Sequence, residues 1–361
     1  MGRPILSICI ATYQRYEVLK ELLEEILSVH SDEFEVIVCD DHSTDGSYEN
    51  IKDLEDKRLK FYSNESNVGS IENVCKLLNY GNGVYLLYLN DRDNIDPLKL
   101  PKLLSILRFF DKNKVAFARC MSIIDAKKDF TIFASGRESF VEFSCRPHHI
   151  SGFIFHKDKW ESIKNRAVFF KEQKYGDWPY TYLYALLSIH NSGAYIWNDI
   201  CNIDRERIDF TKVRSGFYLK RKDKRIWFMP AVQCRELCHA YKFLCRLSVP
   251  QDWIRDVICN RYDEALRNVM IHYSLFVSLP VNTVHYGLKI SENKLKNHTK
   301  EILNGLFLWK HAYFFFRKYD SDIVAKINKI TFSIVKEYSD IVYQDWLKYI
   351  FSSQTKSKKS E

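Results

Sequence analysis

The sequence predicts an α/β fold, a doubly wound and mostly parallel sheet over residues 1–220, followed by an α-helical region over 221–361. Three observations lead there. Continuous apolar runs alternate with amphipathic helices through the first 120 residues or so. Three of those runs end directly in polar clusters. Beyond about residue 225, apolar positions recur three and four apart with few turn signals.

Ile5–Ile10 is a continuous apolar run suited to a strand covered on both faces. Val18, Leu19, Leu22, Leu23, Ile26 and Leu27 then make one stripe of a helix over Glu17–Leu27. Phe34–Cys39 reads as a second strand, ending at Asp40 and Asp41, and a helix from about Ser47 leads to a short strand, Leu59–Tyr62. The next helix carries Ile71, Val74, Leu77 and Leu78, and the strand Val84–Leu89 runs into Asn90-Asp91-Arg92-Asp93. A helix through Leu103, Leu104 and Leu107 and a strand near Val115–Ala118 complete the alternation. From 120 to 215 strands and helices mix less regularly.

The chain has 361 residues, 46% of them hydrophobic, with only 12 Gly and 8 Pro, which implies a compact two-part protein without long linkers. Ten cysteines invite a disulfide framework, but Cys9 and Cys39 sit inside strands, where a free thiol behaves as a small hydrophobe. Free thiols, and a first strand that opens at Pro4-Ile5-Leu6 with no leader before it, fit a reducing cytoplasm. Cys234, Cys238, His239 and Cys245 lack the paired Cys-x-x-Cys of a zinc site. The net charge of +8 gathers at Lys220–Arg225 and at Lys356, Lys358 and Lys359. Those runs read as solvated faces, with anionic lipid or a phosphate-bearing acceptor as the functional alternative. A nucleic-acid partner is not expected, because no recognised module appears. No apolar run spans a bilayer; Tyr273–Val284 is short and broken by Pro280.

In a doubly wound sheet, ligands bind beyond the carboxyl ends of the strands. Those ends carry Thr12-Tyr13-Gln14-Arg15, Asp40-Asp41-His42-Ser43 and Asn90-Asp91-Arg92-Asp93. Two carboxylates at i and i+2 can reach one Mg²⁺ or Mn²⁺, which prefers hard oxygen ligands and shares its other positions with water and diphosphate. A surface turn also accommodates such a pair. Three polar clusters aimed at one edge favour a site.

The segments Ser7–Tyr13, Val36–Ser47, Asn67-Val68-Gly69 and Tyr88–Asp93 resemble the family 2 glycosyltransferases of the GT-A fold, strongly over roughly the first 100 residues and fading towards 215. The resemblance implies that Thr12, Tyr13 and Arg15 line the nucleotide pocket, that Asp40 accepts a hydrogen bond from the base, and that Asp41 lies beside the base or ribose. Asn67 and Gly69 would shape the donor pocket, with Asn90 and Asp91 on the donor. Asp91 and Asp93 would be the Asp-x-Asp motif holding Mn²⁺ or Mg²⁺, and UDP-sugars would be the default donors.

An inverting member also needs a carboxylate base. The best match is Asp177 in Gly176-Asp177-Trp178, with Glu172 as the alternative; Asp177 before Pro179 also suits a helix N-cap. Arg205 and Arg207 suit salt bridges or a diphosphate clamp. Several features depart from the family pattern: Asn90 and Arg92 within the motif, half of an acidic pair at 176–177, and no Gln-x-x-Arg-Trp. A single addition is therefore expected rather than polymer synthesis. The expected setting is bacterial surface glycan assembly, capsule or lipooligosaccharide, with a glycan or lipid-linked acceptor. The place would be the cytoplasm or the inner face of the membrane. The helical region would serve packing, homo-oligomer or membrane-surface contact. A sugar nucleotidyltransferase is disfavoured by the missing Gly-rich loop at Ala11–Arg15, and an inactive scaffold of the same fold remains the non-enzymatic alternative.

Overall fold

The computed structural model describes residues 2–51, 54–121, 127–146, 151–164, 179–197, 200–202, 230–278 and 306–334. The chain divides into two compact units, Met1–Asp209 and Phe210–Glu361.

The first unit opens with strand β1 (Leu6–Thr12), helix α1 (Tyr16–Leu27), β2 (Phe34–Asp40), α2 (Ser47–Ile51), β3 (Leu59–Ser63), α3 (Ser70–Tyr80) and β4 (Tyr85–Asn90). It continues through β5 (Asn94–Ile95), α4 (Leu100–Lys112), β6 (Val115–Cys120), β7 (Phe130–Phe133), α5 (Arg137–Phe143), β8 (Phe153–His156) and α6 (Lys157–Ser162). Helix α7 (Pro179–Ser188), β9 (Ser192–Ile196) and β10 (Cys201–Asn202) follow. Among the described residues, eight strands form one sheet in the order β3-β2-β1-β4-β8-β6-β9-β7, and β5 pairs with β10 in a separate ribbon.

Alternating side chains divide the core. Ile8, Ile10, Val36, Val38, Leu87 and Leu89 meet Leu19, Leu22, Leu23 and Ile26 of α1 and Leu103 and Leu107 of α4 on one face. Cys9, Ile37, Cys39, Leu86 and Tyr88 meet Val74, Leu77 and Leu78 of α3 on the other. Burial on both faces is what the continuous apolar runs require of these strands. The ten cysteines are free, and burial pushes the Cys39 thiol up to about 12.

The pairing is mixed rather than uniformly parallel. The ladders β1–β2, β1–β4, β2–β3 and β6–β9 are parallel, whereas β8 runs antiparallel to both β4 and β6, and β7 antiparallel to β9. The phenol of Tyr184 on α7 binds across the β6–β8 seam: the Ile154 amide donates to it at 3.1 Å, and it donates to the Ala118 carbonyl.

In the second unit, α8 (Pro230–Leu244) packs against α9 (Gln251–Ser278) and α10 (Leu306–Tyr319), and a further helix covers 321–334. Leu237, Leu244, Ile258, Leu266, Leu308 and Phe316 are buried. Asp320 stands at the start of the helix over 321–334, where the Asp322 amide donates to it at 3.1 Å and Arg255 of α9 pairs with it at 2.9 Å. A carboxylate is favoured at such a helix start.

At the opposite end of the sheet from the polar clusters, Glu35 accepts hydrogen bonds from Ser7 Oγ at 2.6 Å, Lys60 Nζ at 2.7 Å and the Asn82 amide at 2.6 Å. Burial alone would raise its carboxyl, but these donors outweigh it and hold the group below its usual value. A depressed carboxyl contributes stability above its unfolded pKa, near ~4.3, and loses it as pH falls through the folded value. Glu35→Gln is therefore expected to cost about 1.5–3 kcal/mol at pH 7, with the deficit closing in acid. Urea denaturation at both pH values checks this; an equal deficit at both would refute it.

Candidate active site

Parallel register brings three strand ends to one edge. Thr12 stands opposite Asp40, and Ala11 opposite Asn90. The loops that follow β1, β2 and β4 therefore meet.

Asp91 is 1% exposed, directly after β4. Thr12 Oγ1 donates to one of its oxygens at 2.9 Å, and Arg15 Nη1 pairs with the other at 2.7 Å. Burial pushes the Asp91 carboxyl above its usual range, with the Arg15 charge and the Thr12 hydrogen bond opposing. The Arg15 side chain is 38% exposed, so the ion pair reaches from the interior to the rim.

The loop after β1 is tied to the loop after β2. The Gln14 amide donates to Ser43 Oγ at 2.8 Å, and Gln14 Nε2 to Thr44 Oγ1 at 3.0 Å. The Tyr16 amide, the first of α1, donates to Asp45 at 2.8 Å, a favoured place for a carboxylate. Tyr13 stands exposed on this ledge.

Asp40 is buried and turned into its own loop, accepting from the Ser43 amide at 2.9 Å, from Ser43 Oγ, and from Ser63 Oγ at 3.2 Å. Asp41 accepts from Asn64 Nδ2 at 3.0 Å and from the Val68 and Gly69 amides, both at 2.8 Å. Those amides precede α3, whose first turn leaves N–H groups without helical partners. Gly69, at φ 87°, adopts the left-handed backbone that such a turn needs. Asn67, directly before them, is exposed. His42, also left-handed at φ 65°, sets Nδ1 3.2 Å from the Asn64 carbonyl oxygen.

Beyond β4 the chain folds into a tight turn in which the Asp93 amide donates to the Asn90 carbonyl at 3.1 Å. Tyr88 OH donates to the Asn90 side chain at 2.9 Å. Asp93 is fully buried and accepts from Ser151 Oγ.

Thus Thr12, Arg15 and Asp91 touch, Asp93 lies in the same turn, and Asp40, Asp41, Asn67 and Gly69 build the adjoining wall. Asp177, Glu172, Arg205 and Arg207 lie outside the described residues. The sequence reading missed Ser151, a lone serine before an apolar run. It also missed Arg119 on β6, whose guanidinium stacks 4.4 Å over the Phe153 ring and which burial lowers to about 10.

Residues 7–156 match the family model of glycosyl transferase family 2. The chain is 34% identical over 106 residues to MJ1057, an uncharacterized glycosyltransferase of Methanocaldococcus jannaschii, covering 28% of this chain and 37% of that protein. It is 29% identical over 128 residues to WfaP of Escherichia coli, a UDP-Glc:α-D-GlcNAc-diphosphoundecaprenol β-1,3-glucosyltransferase, covering 36% of this chain and 49% of that one. The matched stretch is thus less than half the length of either relative. Among solved structures, residues 1–349 of S. aureus TarS in complex with UDP-GlcNAc align with a TM-score of 0.51 at 14% identity. That alignment covers 93% of this chain and 91% of that one, a likeness of fold. Over residues 7–156, carried on a GT-A fold, the chain is thus similar to glycosyl transferase family 2.

Proposed function

We propose that the first unit transfers a sugar, with inversion, from a nucleotide diphosphate donor to an acceptor hydroxyl. The observation that carries this reading is the junction of Thr12, Arg15 and Asp91, with Asp93 in the same turn, at the edge where β1, β2 and β4 end together. A UDP-sugar is the default donor. Thr12, Tyr13 and Arg15 line the nucleotide side, Asp40 and Asp41 lie towards the base and ribose, and Asn67, Gly69 and Asn90 complete the wall. The Asp41 carboxylate acts there through the loop whose amides it holds.

A divalent cation fits the residues at this edge. Asp91 and Asp93 offer hard oxygen donors in a buried setting. Among the described residues no third His, Cys, Asp or Glu is gathered with them, so diphosphate and water would complete the shell, as Mg²⁺ and Mn²⁺ prefer. When bound, such an ion neutralises charge developing on the diphosphate leaving group. Arg15, which answers the Asp91 charge in the protein alone, is also placed to face phosphate from the rim.

Asp177, or Glu172 in its stead, takes the proton from the acceptor hydroxyl. The freed oxygen bonds to the anomeric carbon on the face opposite the diphosphate, the bond to the diphosphate breaks, and the nucleotide diphosphate leaves. The acceptor proposed is a glycan or lipid-linked glycan of bacterial surface assembly. Support comes from the E. coli relative, which glucosylates α-D-GlcNAc-diphosphoundecaprenol, a lipid-linked sugar. No described helix is long and apolar enough to cross a membrane. A peripheral membrane or oligomer contact through the second unit is part of this reading.

Turnover of a nucleotide-sugar panel with Mn²⁺ or Mg²⁺ tests it. One donor is expected to be consumed, and Asp91→Ala and Asp93→Ala to lose roughly 100-fold or more in rate. Absence of nucleotide binding in the same samples would overturn the assignment and leave the scaffold alternative. Asp177→Asn is expected to lower kcat by roughly 10²–10⁴-fold while donor KM holds. If Glu172→Gln gives that loss instead, the base is Glu172.

A further inference from the structure

Asp93 accepts a hydrogen bond from a residue 58 positions away. Ser151 Oγ donates to Asp93 Oδ2 and accepts from the Asn90 amide at 2.9 Å. An amide can only donate, so the single hydroxyl proton of Ser151 is committed to the carboxylate.

Ser151 has little freedom to do otherwise. It is buried, and the next residue, Gly152, is anchored on both sides. The Gly152 amide donates to the Tyr88 carbonyl on β4 at 2.9 Å, and its carbonyl accepts from the Cys120 amide on β6 at 2.9 Å. Gly152 has φ 89°, where a side chain is strained, and a Cβ there would crowd Cys120 Cβ at 3.0 Å. The antiparallel entry of β8 between β4 and β6 thus aims one hydroxyl at the turn over residues 90–93.

We propose that Ser151 is a positioning residue for the metal-binding carboxylate of Asp93, setting its orientation before the cation arrives. The proposal rests on the reading of Asp93 as a metal ligand. Partners of metal-binding side chains typically govern affinity by on the order of 10–100-fold, a range that separates positioning from bystander packing.

The test is Mn²⁺ uptake by the full chain with UDP present, read from the paramagnetic resonance signal of free Mn²⁺. Thermal unfolding is followed for each variant. Ser151→Ala is expected to weaken Mn²⁺ binding by on the order of 10–100-fold with its cooperative transition kept, Ser151→Thr to restore affinity to near wild type, and Asp93→Ala to abolish the uptake. If Asp93→Ala loses uptake while Ser151→Ala binds as wild type, the positioning role is overturned and the metal reading survives. If Asp93→Ala binds Mn²⁺ as wild type, or wild type takes up none, the metal reading falls and this role falls with it. Should Ser151→Ala fail to fold, Ser151→Cys, of similar size and a weaker donor, replaces it; wild-type affinity there overturns the proposal.

Discussion

Asp91 places a carboxylate where almost no water reaches it, and the cost of that burial has to be met locally. It is met from another strand. Thr12 and Arg15 follow β1, and they reach Asp91 because β1 and β4 are parallel with Ala11 opposite Asn90. A slip of one residue would turn Thr12 to the other face and leave the charge without its hydroxyl. The register of the central strands is therefore a condition of the site's electrostatics as well as of the core.

The acidic residues at this edge divide their work. Asp40 and Asp41 spend their oxygens on Ser43, Ser63, Asn64 and the amides before α3, and so give the wall its shape. Asp45 caps α1. Tyr13 is exposed, and Arg15 reaches from Asp91 to the rim. A wall whose polar groups already satisfy one another needs little reorganisation when a ligand arrives, which is where preorganised sites gain their advantage.

How much of this was legible in the sequence depended on range. Strands β1, β2 and β4 announce themselves as apolar runs because both of their faces are buried, and the stripes of α1, α3 and α4 follow from local periodicity. The acidic turn after β4 was visible for the same reason, since it directly ends such a run. Strand β8 is only four residues long and takes its antiparallel place from tertiary pairing with β4 and β6, which local pattern does not encode. Ser151 was silent because one serine before an apolar run has no distinguishing spacing, and its partners Asn90 and Asp93 are far away in the chain. The Asp41 contacts were hidden likewise: the resemblance sets this residue beside the base or ribose, and says nothing of the Asn64 side chain and the amides of a different loop that its oxygens accept from.

The lacing between the loops after β1 and β2 has an energetic consequence. Gln14 holds Ser43 and Thr44 while the start of α1 holds Asp45, so the two loops form a single mechanical piece. Pieces joined in this way do not fray one at a time: opening either loop breaks the same hydrogen bonds, and the free energy of opening is shared. Substitutions on the two loops will therefore be coupled, the second costing less once the first has cut the lacing. Amides on both should also exchange with solvent in one common opening event, giving this edge of the sheet the behaviour of a hinged lip.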